Sequence, residues 1–332
     1  MYARLLSTSA DSGDAAIPTN PAPDVSVSQP AMGTLFEILI YGADATNLSA
    51  AARQALALIV ELDNQLSRWK EGSEISYINR HAAEEPVRVE PQLFDLLLRS
   101  RELWRETGGA FDITVAPLVK AWGFYKKEGR LPPQKEIEAA LQIVGMNRVR
   151  LDEDAGTIRF DKPGMELDLG GIGKGFAVDR AVEFLRSCKI EAALVNSGGS
   201  SLYAIGSPPG QDGWHIGIRD PRDEEKSVAV IALRDGSIST SGAPEKVLEI
   251  EGKPYSHILD PRTGFPAKGM VSASAVAPSA TDSDALSTSF YVLGADWTRA
   301  YYKKHAEVKA VLIPEQASEA KVKVLTINFN SN

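Results

Sequence analysis

The chain has 332 residues, 43% of them hydrophobic and 24% charged, and this balance excludes a wholly disordered protein. The formal net charge of -8 argues against non-specific nucleic-acid binding, because such binding needs a basic surface. No apolar run approaches the roughly 18 residues of a membrane-spanning helix, so we expect no stable membrane span. A single cysteine, Cys188, excludes an intramolecular disulfide and a Cys-rich zinc site, and its apolar helical surroundings predict a core position.

The N-terminal segment 1–30 is rich in Pro, Ser and Ala, and Tyr2 is its only aromatic residue. This composition cannot bury enough apolar surface to fold, which predicts a disordered leader or tether. The segment also lacks the apolar stretch of a secretory signal peptide. Two interpretations follow: a cytoplasmic protein, or an exported protein whose signal or lipid anchor is absent from this sequence.

Residues 31–146 have a mainly helical pattern. The run 35–41 predicts a strand. One helix is predicted to begin at Asn47, a good N-cap residue, and another at Pro91, a favoured first helical residue. The second helix should end at Gly108 and Gly109, and a short helix is predicted at 135–143.

The pattern changes at residue 147, where short β-like runs begin to recur. Helices are predicted at 175–188 and 282–293, with a third at 296–305. Hairpin-type spacing outweighs strand–helix–strand alternation, which favours an α+β fold with antiparallel or mixed sheets flanked by helices. The predicted strands are 147–151, 157–161, 166–168, 191–195, 200–205, 214–218, 227–233, 246–251, 271–277, 307–313 and 321–328.

The segment 168–175 (DLGGIGKG) carries four glycines between a predicted short strand, which ends in Asp168, and a predicted helix. Glycines let backbone N–H groups approach a ligand closely, and a helix N-terminus attracts anions. The segment therefore favours a phosphate nearby, although it fits neither a P-loop nor a Rossmann fingerprint. A tight strand-to-helix turn without a ligand is the alternative interpretation.

Two further segments carry polar groups. The segment 257–264 (HILDPRTG) predicts a rigid turn that presents His257, with an ordinary hydrogen-bonded loop histidine as the alternative. Asp284 and Thr288 are spaced i,i+4 and so project from one helix face. A carboxylate beside hydroxyl oxygens suits Mg²⁺ and is poor for zinc. The alternative is a helix cap, with Thr281 or Asp282 at the N-cap.

Taken together and in this order, the segments resemble the FAD:protein FMN transferase family, the ApbE-type flavin transferases. The resemblance runs from Ala31 to about Gly294. It implies that 31–332 form one ApbE-like catalytic domain of α+β class, with FAD in a crevice if the domain has two lobes. The segments are AMGT at 31–34, LSRW and SEIS within 66–76, GAFDIT at 109–114, DLGGIGKG at 168–175, HILDPRTG at 257–264 and DALST at 284–288.

The resemblance also assigns roles by position. The sequence departs from the family at Trp69, where Tyr is common, and at Ser200, where the family's N-A-G-G-D segment has a carboxylate. His257 is the candidate general base, a duty that Asp284 could share. The implied FAD contacts are Met32, Trp69, Ala110, Phe111, Asp112, Asp168, Lys174 and Ile258, and the implied Mg²⁺ ligands are Gly171 through its carbonyl, Asp284, Ser287 and Thr288.

The activity implied by the resemblance is transfer of FMN from FAD to a Ser or Thr hydroxyl of an acceptor protein, with release of AMP and with Mg²⁺ as cofactor. The expected acceptor is a subunit of a membrane redox complex, and the expected location is the periplasm. Two alternatives stay open: a Mg²⁺-dependent FAD pyrophosphatase that gives FMN and AMP, and a non-catalytic FAD-binding protein. The resemblance implies acceptor sites with the pattern Asp/Ser-Gly-Ala-Ser/Thr, in which the final hydroxyl takes FMN. In this chain the nearest match is Ser241-Gly242-Ala243-Pro244, in which Pro244 offers no hydroxyl.

Overall fold

The computed structural model describes residues 3–6, 19–126, 130–242, 247–250, 252–316 and 322–329. The chain divides into two compact units. Unit 1 comprises Met1–Asp63, Ile172–Gly242 and Met270–Asn332, and unit 2 comprises Asn64–Gly171 and Ala243–Gly269. In the part of the chain that is described, no helix is long and apolar enough to cross a membrane.

Most of the strands follow residue 190, whereas most of the helices precede it. The strands are β1 (Ala3–Leu5), β2 (Val25–Ala31), β3 (Thr34–Ile40), β4 (Val87–Arg88), β5 (Val149–Asp152), β6 (Thr157–Phe160), β7 (Ala193–Ser197), β8 (Ser201–Ile205), β9 (Trp214–Asp220), β10 (Asp223–Leu233), β11 (Gly236–Gly242), β12 (Val247–Ile250), β13 (Lys253–Ser256), β14 (Leu259–Asp260), β15 (Phe265–Pro266), β16 (Met270–Ala277), β17 (Lys309–Pro314) and β18 (Leu325–Ile327). The helices are α1 (Ala45–Leu66), α2 (Glu74–His81), α3 (Pro91–Glu106), α4 (Ala116–Ala121), α5 (Gln134–Leu141), α6 (Gly173–Ser187) and α7 (Ala280–Tyr302).

Unit 1 is built on an antiparallel sheet with the strand order β18-β17-β16-β11-β8-β7-β3-β2. A smaller antiparallel sheet, β1-β9-β10, packs against it. Because side chains alternate along a strand, Leu194, Leu202 and Ile238 point from the large sheet to one face. There they form an apolar cluster with Trp214 and Ile216 of the small sheet.

Helices α6 and α7 belong to the opposite face of the large sheet. On β11 the alternate residues Ser237 and Ser239 point to this face, and both hydroxyls hydrogen-bond to Ser283 of α7, at 2.8 and 2.7 Å. The strand and the helix therefore meet through small hydroxyl side chains, which satisfy one another in a buried contact.

Unit 2 holds a three-stranded antiparallel sheet, β4-β6-β5, and two hairpins, β12–β13 and β14–β15. Helix α3 begins at Pro91, as predicted, and the Glu90 carboxylate accepts from the Leu93 amide at 3.0 Å. The buried indole of Trp122 donates from Nε1 to the carbonyl of Gly264 at 2.8 Å. This bond ties the β14–β15 turn to the apolar cluster around α4 and α5.

The predicted α+β class with antiparallel pairing is confirmed, and the structure places most predicted strands within a few residues of their expected bounds. The predicted strand at 166–168 is wrong. Leu167 is held instead by the Asn79 side chain, which accepts from its amide at 2.7 Å and donates to its carbonyl at 3.0 Å. The Asn79 side chain therefore makes the two backbone hydrogen bonds that a neighbouring strand would make.

Two further predictions need correction. The 1–30 segment is not disordered throughout, because 3–5 form β1 and 25–30 lie in β2; residues 1–2 and 7–18 fall outside the described residues. Cys188 is exposed, since it caps the C-terminus of α6 instead of packing inside. The two helices predicted at 282–293 and 296–305 are confirmed within α7, where Gly294, with a φ of 76° and a ψ of -175°, breaks the helical backbone between them.

Candidate functional site

Helices α6 and α7 cap each other: each supplies a carboxylate that accepts hydrogen bonds from the N-terminal amides of the other. Asp284 on α7 accepts from the Gly175 amide in the first turn of α6, at 2.9 Å. Asp179 on α6 accepts from the amides of Ala280 and Thr281, at 2.7 and 2.8 Å, and also from the hydroxyls of Thr281 and Ser279. Each helix therefore supplies a partner for amides that have none within the other helix. The N-cap of α7 is Ser279, and the predicted N-cap at Thr281 or Asp282 is wrong.

Gly175 explains one of the four glycines in the 168–175 segment. A Cβ atom at this position would lie 2.1 Å from the carbonyl oxygen of Ala280 and 2.8 Å from the Cβ of Asp284. No side chain fits there without moving the backbone of α7. The glycine thus serves the close approach of the two helices, and through it the position of Asp284.

The Asp284 side chain is almost completely buried. Burial raises the pKa of this carboxyl above its ordinary value, while the nearby Lys174 ammonium and the Gly175 amide act in the opposite direction. A buried carboxylate with a cation beside it and a strongly perturbed pKa is typical of a functional site. The same features also suit a buried helix cap, so Asp284 has a structural role whatever else it does.

The predicted spacing of Asp284 and Thr288 on one helix face is seen in α7, and Ser241 of β11 completes the group. The Ser241 hydroxyl lies 2.8 Å from Ser287 Oγ and 3.1 Å from Thr288 Oγ1. Ser287 also donates to the Asp284 carbonyl at 2.8 Å. We call Ser241, Asp284, Ser287 and Thr288 the hydroxyl–carboxylate cluster.

This cluster has the donor chemistry of a Mg²⁺ site with one carboxylate. Among the described residues no group of three or more His, Cys, Asp or Glu is placed to hold a metal ion. Mg²⁺ does not need such a group, because it is often held by one or two carboxylates together with substrate phosphates and water. Asp284 and Thr288 fit this pattern, whereas the Ser287 hydroxyl is buried and already bonded to two oxygens.

Met32 lies in the two-residue turn that joins β2 to β3, with Ala31 paired to Thr34. Its φ is 49° and that of Gly33 is 73°, so both central residues are left-handed, as a type I′ turn requires. A long side chain in this region is uncommon and is a mark of a functional position. The backbone after β7 passes close to this turn, since a Cβ on Gly198 would lie 1.9 Å from Thr34 Oγ1.

The second group of predicted residues lies in unit 2, where Trp69 is 66% exposed on the loop after α1. Its ring meets Tyr125 edge-on, with centroids 4.8 Å apart. The Arg68 guanidinium lies over the Tyr125 ring at 4.0 Å and donates to the Tyr125 hydroxyl and to Asp168. Arg68 also pairs with Glu166 at 2.8 Å. We call Arg68, Tyr125, Glu166 and Asp168 the arginine–tyrosine cluster.

The predicted contacts at 110–112 have buried side chains, so a ligand would meet this loop through its backbone. Asp112 accepts from the Thr114 amide and hydroxyl, at 2.8 and 2.6 Å, and from the Met146 amide at 3.3 Å. Burial raises the pKa of Asp112 to about 6, although the hydrogen bonds from Thr114 and Met146 oppose that rise. The carboxylate therefore organises the loop around it.

His257 lies between β13 and β14, directly before the turn that the sequence predicts to be rigid. The turn is closed by a hydrogen bond from the Gly264 amide to the Asp260 carbonyl at 2.8 Å and by a bidentate salt bridge between Arg262 and Asp260. Ile258 is buried beside it, and its carbonyl accepts from the Ala267 amide at 2.9 Å. His257 is half-buried on this fixed hairpin.

The predicted residues are divided between the two units. Met32, Lys174, Asp284, Ser287 and Thr288 belong to unit 1, whereas Trp69, 110–112, Asp168, Gly171, His257 and Ile258 belong to unit 2. Sequence reasoning missed Arg68, Tyr125, Asp179 and Ser241. Only Asp179 carried a signal, because an acid one turn into a predicted helix is a possible partner for a neighbouring N-terminus.

Comparison with known proteins agrees with the motifs. The ApbE family model matches residues 32–312. The FAD:protein FMN transferase of Treponema pallidum is 33% identical over 321 residues, covering 90% of this chain and 88% of the relative. That of Escherichia coli K12 is 32% identical over 274 residues, covering 79% and 76%.

Solved structures give the same result. The ApbE protein of Thermotoga maritima has a TM-score of 0.80 and 33% identity, with 87% of this chain and 94% of that chain covered. The flavin transferase ApbE of Vibrio cholerae also has a TM-score of 0.80, with 29% identity and coverage of 91% and 96%. The chain therefore belongs to the ApbE family.

Proposed function

We propose that this chain transfers FMN from FAD to a Ser or Thr hydroxyl of an acceptor protein and releases AMP. The family and the names of its relatives support flavin transfer. The observation that supports the chemistry is the hydroxyl–carboxylate cluster, because it sets a buried Asp284 beside Lys174 and the first turn of α6. That arrangement suits a diphosphate, which needs positive charge and hard-ligand chemistry together.

The transfer is a phosphoryl substitution. The acceptor hydroxyl oxygen forms a bond to the FMN-side phosphorus of FAD, the bond from that phosphorus to the AMP oxygen breaks, and AMP leaves. The hydroxyl proton passes to a base, for which His257 on its fixed hairpin is our candidate and Asp284 the second. Lys174 and the α6 N-terminus stabilise the negative charge on the phosphate oxygens.

Mg²⁺ is part of the proposal, and Asp284 and Thr288 would hold it, whereas the Ser287 hydroxyl is already bonded to Ser241 and to the Asp284 carbonyl. When bound, the metal ion would neutralise charge on the diphosphate. Asp284 would be needed in its ionised form. The burial that raises the pKa of Asp284 thus opposes metal binding, and the Lys174 ammonium favours the ionised carboxylate.

Trp69 is our candidate for a stacking contact with a ring of FAD. Its ring is the most exposed of the large apolar side chains in the described residues, and it contacts the Tyr125 ring nearly at a right angle. Trp replaces the more common Tyr without loss of an aromatic face. Met32, in its left-handed turn, is the corresponding candidate in unit 1.

The acceptor in this proposal is a separate protein, a redox-complex subunit with an exposed Ser or Thr. Of the nearest acceptor-like segment in this chain, Ala243 and Pro244 lie outside the described residues. Ser239, Thr240 and Ser241 are engaged by Ser283, Ser274 and Ser287, which makes them poor acceptors. A periplasmic location is also proposed, and fractionation of expressing cells with an antibody against this protein tests it.

The test of the proposed function is a product analysis. The protein is incubated with FAD, Mg²⁺ and a protein that carries a Ser-Gly-Ala-Thr segment, and FMN and AMP are quantified by chromatography. Transfer releases AMP with no equal amount of free FMN. Equal amounts of free FMN and AMP would identify an FAD pyrophosphatase instead, and release of neither would identify a flavin-binding protein.

A further inference from the structure

The Asp168 carboxylate is held by three donors within unit 2. Its Oδ1 accepts from the Gly170 amide at 2.8 Å, and its Oδ2 accepts from the Tyr125 hydroxyl and from Arg68 Nη1. A carboxylate offers about four acceptor positions, so one position stays open. The side chain is 19% exposed, and a ligand can therefore reach it.

Arg68 is fixed on several sides. It lies in the LSRW segment, but the family resemblance assigns no role to Arg68 or to Tyr125. The Arg68 side chain is only 10% exposed and bridges Glu166 and Asp168. The plane of its guanidinium lies over the Tyr125 ring, 4.0 Å from the centroid. A flat guanidinium can bind two carboxylates and stack on a ring at once, which a lysine ammonium cannot do.

Tyr125 connects the two charges. Its hydroxyl accepts from Arg68 and donates to Asp168. Burial and the neighbouring Asp168 raise the pKa of Tyr125 above its usual range, so the phenol keeps its proton and remains a donor at all ordinary pH values. The same ring meets Trp69 edge-on, which links the carboxylate to the exposed indole.

We propose that Arg68 and Tyr125 are positioning residues for FAD, which fix the Asp168 carboxylate so that its one open acceptor position meets a hydrogen-bond donor of the flavin nucleotide. This inference rests on the proposed function, since it takes FAD as the ligand. Without Tyr125 the carboxylate loses one of the bonds that set its rotamer. Without Arg68, Glu166 and Asp168 lose the guanidinium that pairs with both carboxylates.

The test measures FAD affinity by quenching of flavin fluorescence, together with KM and kcat, in Tyr125→Phe, Arg68→Gln and Arg68→Lys. We expect Tyr125→Phe to weaken FAD binding about tenfold, the scale of one hydrogen bond to a charged group. KM should rise by a similar factor with kcat nearly unchanged. Arg68→Gln should bind more weakly still, and Arg68→Lys should recover only part of the loss. Tyr77→Phe, an exposed tyrosine of the same unit, is the matched control.

The second measurement repeats Tyr125→Phe in an Asp168→Ala background. A residue that acts through Asp168 has little further effect there, so we expect less than about a twofold change. The inference is overturned if Tyr125→Phe binds FAD like the wild type, or if the fold-losses in FAD affinity caused by the two substitutions multiply in full. Failure of the wild type and of Tyr77→Phe to bind FAD would instead overturn the proposed function, and this inference with it.

Discussion

The two clusters of this protein offer a ligand opposite surroundings. The hydroxyl–carboxylate cluster is built on a helix and a strand, and its Asp284 is 4% exposed with the Lys174 ammonium nearby. The arginine–tyrosine cluster is built on loops and a short 3-10 helix, Phe124–Lys126, and beside it Trp69 is 66% exposed. The first cluster is positioned by backbone caps and close helix packing, and the second by charge pairs and by the Arg68 guanidinium over the Tyr125 ring.

This difference matches the two kinds of chemistry in FAD. A diphosphate calls for fixed charge and hard oxygen ligands, because its transfer depends on positioning and charge neutralisation. A flat ring calls for an accessible aromatic face. The comparison predicts that substitutions in the first cluster reduce turnover, whereas those in the second reduce affinity.

The largest effect is expected from Asp284→Asn. Asn keeps an acceptor for the Gly175 amide and removes the charge, so the α6 cap survives while the metal ligand is lost. Activity should fall at least about 100-fold, the scale of losing one preorganised electrostatic group. Steady-state assays with and without a chelator measure it, and Asp296→Asn, an exposed acid of α7, is the control. Full activity of Asp284→Asn in chelator would refute the metal assignment.

Trp69→Ala tests whether the region of the second cluster controls FAD affinity and not turnover. Stacking of a base on an aromatic ring is worth roughly 1–3 kcal/mol, so FAD affinity should fall by about one to two decades. Trp69→Tyr should lose much less, and kcat at saturating FAD should change little in either variant. Equilibrium titration with FAD measures the affinity, with Tyr77→Ala as the exposed aromatic control. Unchanged affinity in Trp69→Ala would show that the ring serves packing alone.

A smaller effect is expected from Asp179→Ala, which leaves the Ala280 and Thr281 amides without their acceptor. Unpaired buried amides cost about 1–3 kcal/mol of the free energy of unfolding. Denaturant titration measures this loss, and Asp296→Ala, at a fully exposed acid of α7, is the control. Because α7 carries Asp284 and Thr288, Mg²⁺ activation should also need more metal. A variant as stable as the wild type would show that the Asp179 cap does not hold α7 in place.

The last prediction concerns pH and Asp112. Its pKa is raised from an ordinary value of 3.8 to about 6, so the folded state binds this proton more tightly than the unfolded state. The contribution of Asp112 to stability is therefore fully present below pH 4 and decreases as pH rises through about 6. Asp112→Asn cannot lose that proton. The melting temperature of the wild type, minus that of Asp112→Asn, should fall between pH 4 and pH 6.5, and a constant difference would contradict the raised pKa.

The sequence predicted those features that depend on a local pattern of residues. Helix α3 begins at its proline, Asp284 and Thr288 share a helix face, and the family follows from ordered motifs. It could not predict contacts between distant segments. Arg68 and Tyr125 meet across 57 positions, and the pairing of β1 with β9 joins Ala3 to Ile218. For the same reason composition suggested disorder at 25–30, where a neighbouring strand supplies the missing hydrogen bonds.

The most direct test of flavin transfer is the intact mass of the acceptor. A protein with an exposed Ser-Gly-Ala-Thr segment is incubated with this enzyme, FAD and Mg²⁺, beside a Ser-Gly-Ala-Ala version, and both are denatured before mass spectrometry. We predict that the threonine protein gains one FMN phosphoester, that the alanine protein gains none, and that the enzyme itself stays unmodified. An unmodified threonine protein together with an FMN adduct on this chain, or with free FMN and AMP alone, would contradict transfer to a separate acceptor.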